Sequence, residues 1–427
     1  MESQVHNTII RTLQWRIASL LLYRNVFRHP ATKAYGELIG ALLEYEVLGG
    51  FTARLSCVAA YGQWFQAMVA TGESWSSLLA QRICSSDNSF SSVAQNQPYE
   101  NLPIALITAA RHDLNSLQTL AQWDAHRLIS TLDQSLPPWV LDANLPFPFP
   151  EPTQSGRTWD ELIPDLAQYY RTNGVGIFSR FMAFTWHNSA LKGVKYPDSI
   201  AIDDLQELEW QKSVLLKNTE SLLAGHPALH VLLYGSRGTG KSSLVKSLVG
   251  RYGAQGLRLI EVAKQDLKDL AAVAEQIRDS PLKFIIFVDD LSFEAETEDY
   301  KALKVVLEGN ITAKPQNLVV YATSNRRHLL REYHSDRPRP SDSEDVHPWD
   351  TMQEKLSLAD RFGIALTFTD LNQTSYLSIV HHLAKQAQIQ LDEAELNFRA
   401  LQWATRHNGR SGRTARQFMD YLIAEMG

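Results

Sequence analysis

At 427 residues the chain is long enough for two or more domains, each with its own core. Hydrophobic residues make up 44% and charged residues 21%, an ordinary globular balance, and a formal net charge of -6 gives no support for a protein held to nucleic acid by a basic surface. Two cysteines, Cys57 and Cys84, exclude a disulfide framework and a cysteine zinc site. Apolar runs such as IASLLLY (17–23) are far shorter than a membrane span, and MESQVH at the start lacks a basic region leading into an apolar one. The expectation is a soluble, cytoplasmic protein with no membrane contact.

From about residue 8 to 83, apolar residues recur at intervals of three and four: Ile9, Leu13, Ile17 and Leu20, then Leu38, Leu42 and Leu43, later Trp64, Met68 and Leu78. That spacing predicts helices. Residues 85–103 are polar and turn-rich and are expected to form a loop, followed by a helical stretch to about residue 132. The run SLPPWVLDANLPFPFPEPTQSG (135–156) carries six prolines and reads as an extended connector, with aromatics as anchors. Another helical piece is expected over 160–184. Residues 1–197 therefore read as a mostly helical N-terminal domain that names no chemistry.

Beyond residue 198 the pattern alternates. HVLLYG (230–235), RLIEV (258–262), FIIFVDD (284–290), NLVVYATSN (317–325) and ALTFTD (365–370) are short apolar runs with helical stretches between them. Such alternation predicts an α/β core over 198–371, built on a parallel five-stranded sheet covered on both faces. Residues 372–427 read as a C-terminal helical lid.

The segment GSRGTGKS (235–242) matches G-x-x-x-x-G-K-[ST] between an apolar run and a helical one, the context this motif requires. Glycines let the backbone curl so that consecutive N–H groups point at one anion, and the helix start adds its positive dipole end. Gly235, Ser236, Arg237, Gly238, Thr239, Gly240, Lys241, Ser242 and Ser243 are thus candidates for cradling the phosphates of ATP. Lys241 would reach the β- and γ-phosphates and the Ser242 hydroxyl would ligate Mg²⁺. The plain alternative is a glycine-rich turn that matches by accident.

Asp289 and Asp290 follow FIIFV, so they emerge at the C-terminal end of a buried strand. Asp289 is a candidate for the Mg²⁺ shell and Asp290 for orienting an attacking water. Taken alone, two aspartates after a strand are usually a loop start or a helix cap. Asn325 ends the next run and can hydrogen-bond that water; a turn-forming asparagine is the alternative. Arg361 stands just before the last strand, either solvated or paired, or inserted into a neighbouring subunit's site to stabilise phosphoryl transfer. Arg410, Arg413 and Arg416 lie at a helix start in the lid, where one of them could touch the nucleotide.

The order of these motifs resembles an AAA+ ATPase over about 198–427, and more closely a bacterial family of uncharacterised AAA+ ATP-binding proteins known as a domain of unknown function. The resemblance makes 235–242 Walker A and Asp289–Asp290 Walker B. It puts Asn325 at sensor 1, Arg361 at the arginine finger, Arg413 at sensor 2 and residues 200–211 at the adenine-contacting segment. Two positions depart from it. Walker B ends in Asp-Asp rather than Asp-Glu, which implies slow hydrolysis, and Glu207 stands where many members have a glycine.

Three readings stay open at this stage. An oligomeric ATPase would use Arg361 across a subunit interface and remodel a protein partner held by the N-terminal domain. A monomeric phosphotransferase would not need that interface, and an ATP-binding scaffold would hardly turn over. Residues 263–266 lack an aromatic-hydrophobic-glycine gripping loop, which disfavours chain threading, and sequence-specific DNA binding through a helix-turn-helix beyond the lid is not expected. The charged, proline-rich residues 331–350 read as a surface insertion.

Overall fold

The computed structural model describes residues 2–142, 149, 157–198, 200–293, 298–308, 316–326, 359–407 and 409–426. It divides into two units, Met1–Arg180 and Phe181–Gly427, so the division falls ahead of the expected boundary at 197.

The first unit is helical. Its elements are α1 (Glu2–Ala18), α2 (Pro30–Leu48), α3 (Gly50–Val69), α4 (Trp75–Cys84), α5 (Ser89–Ala94), α6 (Ile104–Ala121), α7 (Ala125–Ile129) and α8 (Ile163–Asn173). Pro30 opens α2 at a position where no amide is needed, and Gly49, at φ +63°, ends it. Where a loop was expected, Asn88 and Ser91 form a capping box that starts α5. Trp64, Tyr35, Leu38 and Leu117 are fully buried in the core of this unit. The Asp113 carboxylate, also buried, accepts the backbone N–H groups of Leu21, Leu22 and Tyr23 at 2.7 to 3.0 Å. These charge-assisted bonds satisfy the turn after α1 and offset the cost of burying the carboxylate.

The described parts of the proline-rich connector are anchored by aromatics, as expected. Trp139 Nε1 donates to the Glu73 carbonyl at 2.8 Å, and the ring meets Phe65 edge-on. Phe149 is buried against Trp159, with ring centroids 4.9 Å apart. Residues 143–148 and 150–156 lie outside the described residues, as does the expected insertion at 331–350.

The second unit is α/β, with seven strands among the described residues rather than five. They are β1 (Ala183–His187), β2 (Ala190–Gly193), β3 (Val231–Gly235), β4 (Leu257–Val262), β5 (Lys283–Val288), β6 (Leu318–Ser324) and β7 (Ile364–Phe368), in spatial order β2-β1-β4-β5-β6-β3-β7. The five expected strands are β3 to β7, parallel throughout. The additional pair begins at the end of the helical stretch expected over 160–184 and falls within the region expected to be the mostly helical N-terminal domain. Gly174, at φ +76°, ends α8, and AFTWH then pairs parallel to β4 while β2 folds back antiparallel.

Every residue of β6 is buried, as a strand covered on both faces requires. On one face, Leu215 and Leu222 of α9 (Glu209–Leu223) and Leu244 and Leu248 of α10 (Lys241–Tyr252) pack with Val231, Leu233, Ile285 and Tyr321. Between strands lie α11 (Leu270–Ile277) and α12 (Glu298–Glu308). The lid comprises α13 (Gln373–Gln386), α14 (Glu393–Arg406) and α15 (Gly412–Met426), which share a core of Tyr376, Val380, Leu396, Ala400, Phe418 and Leu422.

Candidate functional site

The site begins where β3 runs out. Gly235 has φ +136°, and a Cβ there would fall 1.9 Å from the Phe368 carbonyl oxygen of β7, so a side chain is excluded twice over. Ser236 N donates to that same oxygen at 3.1 Å, which starts the loop away from the sheet. Gly238 and Gly240, at φ +75° and +92°, then curl the chain into α10. The Thr239 hydroxyl donates to Ser236 O at 2.8 Å, while Lys241 Nζ donates to Gly235 O at 2.9 Å and Ser236 O at 2.6 Å. Lys241 is only 7% exposed, and burial lowers its pKa. Asp289 and Asp290 oppose that shift, and Arg413 and Arg237 add to it. A buried ammonium flanked by two arginines is a ready partner for a polyanion.

Sheet order brings the acid pair to this loop. A single strand, β6, lies between β3 and β5, so Asp289, just past β5, faces the helix start across the end of β6. Ser242 Oγ donates to Asp289 Oδ1 at 2.6 Å, and Thr323 Oγ1 of β6 donates to the same oxygen at 2.5 Å. Asp290 has φ +49°; its N–H is held by Asp289 Oδ1 at 3.2 Å and Thr323 Oγ1 at 3.0 Å. Asn325 Nδ2 donates to Asp290 Oδ1 at 2.6 Å. The two acids, the helix serine and the asparagine form one connected network.

These groups open onto a cavity of about 730 Å³, within the size range of small-ligand sites. Its floor is the loop from Arg237 to Ser243 with Asp289, Asp290, Thr323 and Asn325. Ile200, Leu205 and Leu208 make one wall, within the segment expected to contact a base, and Ile379 and Leu383 of α13 face the same space. Gln417 and Asp420 of α15 complete the lining together with Arg413 and Arg416. Gly235 and Ser236 lie beneath the floor, where their carbonyls hold Lys241.

The lid is tied to this site through its own backbone. Arg413 N donates to Gly238 O at 3.1 Å, the apex of the loop. Of the three lid arginines, Arg413 and Arg416 line the cavity, whereas Arg410 bonds Gln373 Oε1 at 3.4 Å. Arg361 sits in the turn before β7 and is not among the lining residues. Glu207 has φ +64°, the conformation glycine adopts most readily, and its Oε2 accepts from Ser375 Oγ of α13 at 2.6 Å. The chain thus keeps a glycine-like backbone at this position with a different side chain. Asp204 accepts from Gln386, also on α13. Sequence reasoning missed Thr323, which reads as one more strand threonine. It also missed Gln417 and Asp420, although with Arg413 and Arg416 they recur at three and four along α15.

A family model described as "Protein of unknown function (DUF815)" matches residues 179–426. The chain belongs to that family. The DUF815 match spans the α/β unit, lid included, and leaves the helical unit outside it. No curated protein matches the sequence. Among solved structures, the Thermotoga maritima RuvB Holliday junction branch migration motor is similar at 14% identity, covering 53% of this chain and 72% of that one at a TM-score of 0.32. The FIGL-1 AAA domain in complex with ADP is 19% identical, covering 54% and 75% at 0.38. A DNA replication initiation factor is 15% identical, covering 52% and 64% at 0.34. Likeness at this level leaves the DUF815 site to be understood from its own geometry.

Proposed function

We propose that the α/β unit is an AAA+-type ATPase core that binds ATP with Mg²⁺ in this cavity and hydrolyses it slowly. The observation that carries the reading is the 2.6 Å approach of the Ser242 hydroxyl to the Asp289 carboxylate, beside the buried Lys241 at the mouth of a glycine loop. A hydroxyl and a carboxylate are the hard oxygen donors that Mg²⁺ prefers, so Ser242 and Asp289 fit the ion. When bound, Mg²⁺ would neutralise charge on the β- and γ-phosphates. Lys241 and the loop amides bind the phosphates, with Arg413 supplying charge from the lid side. Asp290, positioned by Asn325, orients the attacking water and accepts its proton. Its side chain is one methylene shorter than a glutamate and its Oδ1 already has a partner, which favours a low turnover.

In this reading the protein works as an oligomer. Arg361, outside its own chain's cavity lining, reaches a neighbour's site, and the helical unit holds the protein partner that the nucleotide cycle remodels or switches. The test is the ATPase rate against protein concentration for wild type and Arg361→Ala. Specific activity that rises with concentration, and a variant that binds ATP but hardly turns over, are expected. A concentration-independent rate that survives the substitution would instead favour a monomeric phosphotransferase.

A further inference from the structure

The lid helix α15 presents four polar side chains to the cavity: Arg413, Arg416, Gln417 and Asp420. Three are cationic or neutral, as a polyanion requires. Asp420 is the exception. A carboxylate close to a triphosphate would be repelled at short range, so any ligand group that meets Asp420 must donate hydrogen bonds.

Its position identifies that group. The backbone bond from Arg413 N to Gly238 O pins the start of α15 to the phosphate loop. Residues 413 and 420 are seven apart, almost in line on the helix face, and Asp420 is therefore about 10 Å farther along the axis. The apolar wall of Ile200, Leu205 and Leu208 is suited to the flat face of a base. Between phosphates and base, a nucleotide carries one feature rich in donors, the ribose diol. Asp420 is exposed and, among the described residues, has no hydrogen-bond or ion-pair partner, so its carboxylate is open to a ligand entering the cavity, whereas the other acid beyond the metal pair, Asp204, is held by Gln386.

We infer that Asp420 accepts hydrogen bonds from the ribose hydroxyls and makes the site selective for ribonucleotides. The inference rests on the ATP reading above. A carboxylate that pairs with sugar hydroxyls is a recurrent device in nucleotide sites of other folds, and loss of a hydrogen bond to a charged group is worth about tenfold or more in affinity.

The experiment is calorimetric titration of the full chain with ATP, 2′-deoxy-ATP, 3′-deoxy-ATP and ITP, each with Mg²⁺, for wild type, Asp420→Ala and Asp420→Asn. Wild type should bind ATP about tenfold more tightly than at least one deoxy analogue. Asp420→Ala should weaken ATP to the level of that analogue and leave the analogue itself unchanged, while Asp420→Asn, still an acceptor, keeps part of the preference. Equal wild-type affinity for ATP and both deoxy analogues would overturn the assignment and leave ATP binding standing. So would a uniform loss for all nucleotides in Asp420→Ala, or a substitution effect that disappears with ITP, which would place the carboxylate on the base amine. Failure of every nucleotide to bind wild type would remove the ATP reading and this inference together.

Discussion

Gly238→Ala tests how tightly the loop apex and the lid depend on one another. Gly238 has φ +75°, and a Cβ added there would meet Ser411 Oγ at 2.8 Å, Ser411 Cβ at 3.1 Å and Arg413 Cβ at 3.2 Å. Holding an alanine in the left-handed region costs about 1–2 kcal/mol. Pushing the lid away would also lose the Arg413 N–H bond to Gly238 O, worth about 1 kcal/mol net. Together these come to about 2–3 kcal/mol, charged against the arrangement in which Arg413 and Arg416 face the phosphate loop. Calorimetric titration should show ATP affinity reduced by about 30- to 140-fold, at 1.4 kcal/mol per decade. Most of the melting temperature should survive, because the sheet is untouched. Adding Ser411→Gly should recover part of the loss, since it relieves the steric component but not the backbone one; Ser411 caps α15 by accepting from Thr414 N at 3.1 Å, and a glycine in that place costs only a few tenths of a kcal/mol. Wild-type affinity and melting in Gly238→Ala would refute this account of the apex.

Thr323→Val keeps the shape but removes the donor to Asp289 and the acceptor for the Asp290 amide. Nucleotide affinity in the presence of Mg²⁺ should fall about tenfold, with a smaller change in EDTA; equal losses in both would contradict the role given to Asp289. At Glu207, φ +64°, glycine should be more stable than alanine by about 1 kcal/mol in denaturant unfolding, and the reverse order would show the backbone to be unstrained. Burial pushes the Cys84 thiol up to about 12 and also raises Cys57, so neither should react with a thiol reagent at pH 8 until the chain unfolds. The sign for stability follows: the unfolded thiol ionises first, so the contribution of Cys84 is intact below about 9 and is lost as pH rises toward about 12. Rapid native labelling of either cysteine would contradict that burial.

The parallel strands were legible because both faces of the sheet are covered, which makes each strand a nearly continuous apolar run, as in FIIFV of β5. The β1–β2 pair was not. AFTWH continues an apolar, aromatic stretch compatible with a helix, and its partner β4 lies far along the chain. The glycine loop was legible from spacing alone, since its chemistry needs those residues consecutively. Thr323 and Asp420 were not, because each acquires meaning only when the fold brings it beside Asp289 or into the cavity wall. The left-handed backbones of Asp290 and Glu207 leave no mark on residue type. Among Arg410, Arg413 and Arg416, helix phase and the bond to Gly238 distinguish what composition could not.

The most direct measurement is the nucleotide-induced shift in melting temperature for wild type and Lys241→Ala, with ATP and Mg²⁺ at saturating concentration. Ligand at a hundred times its Kd stabilises the native state by about 2.7 kcal/mol, so wild type should melt several degrees higher and the variant should show no shift. An absent shift in wild type, or the same shift in both, would contradict a triphosphate held by this loop.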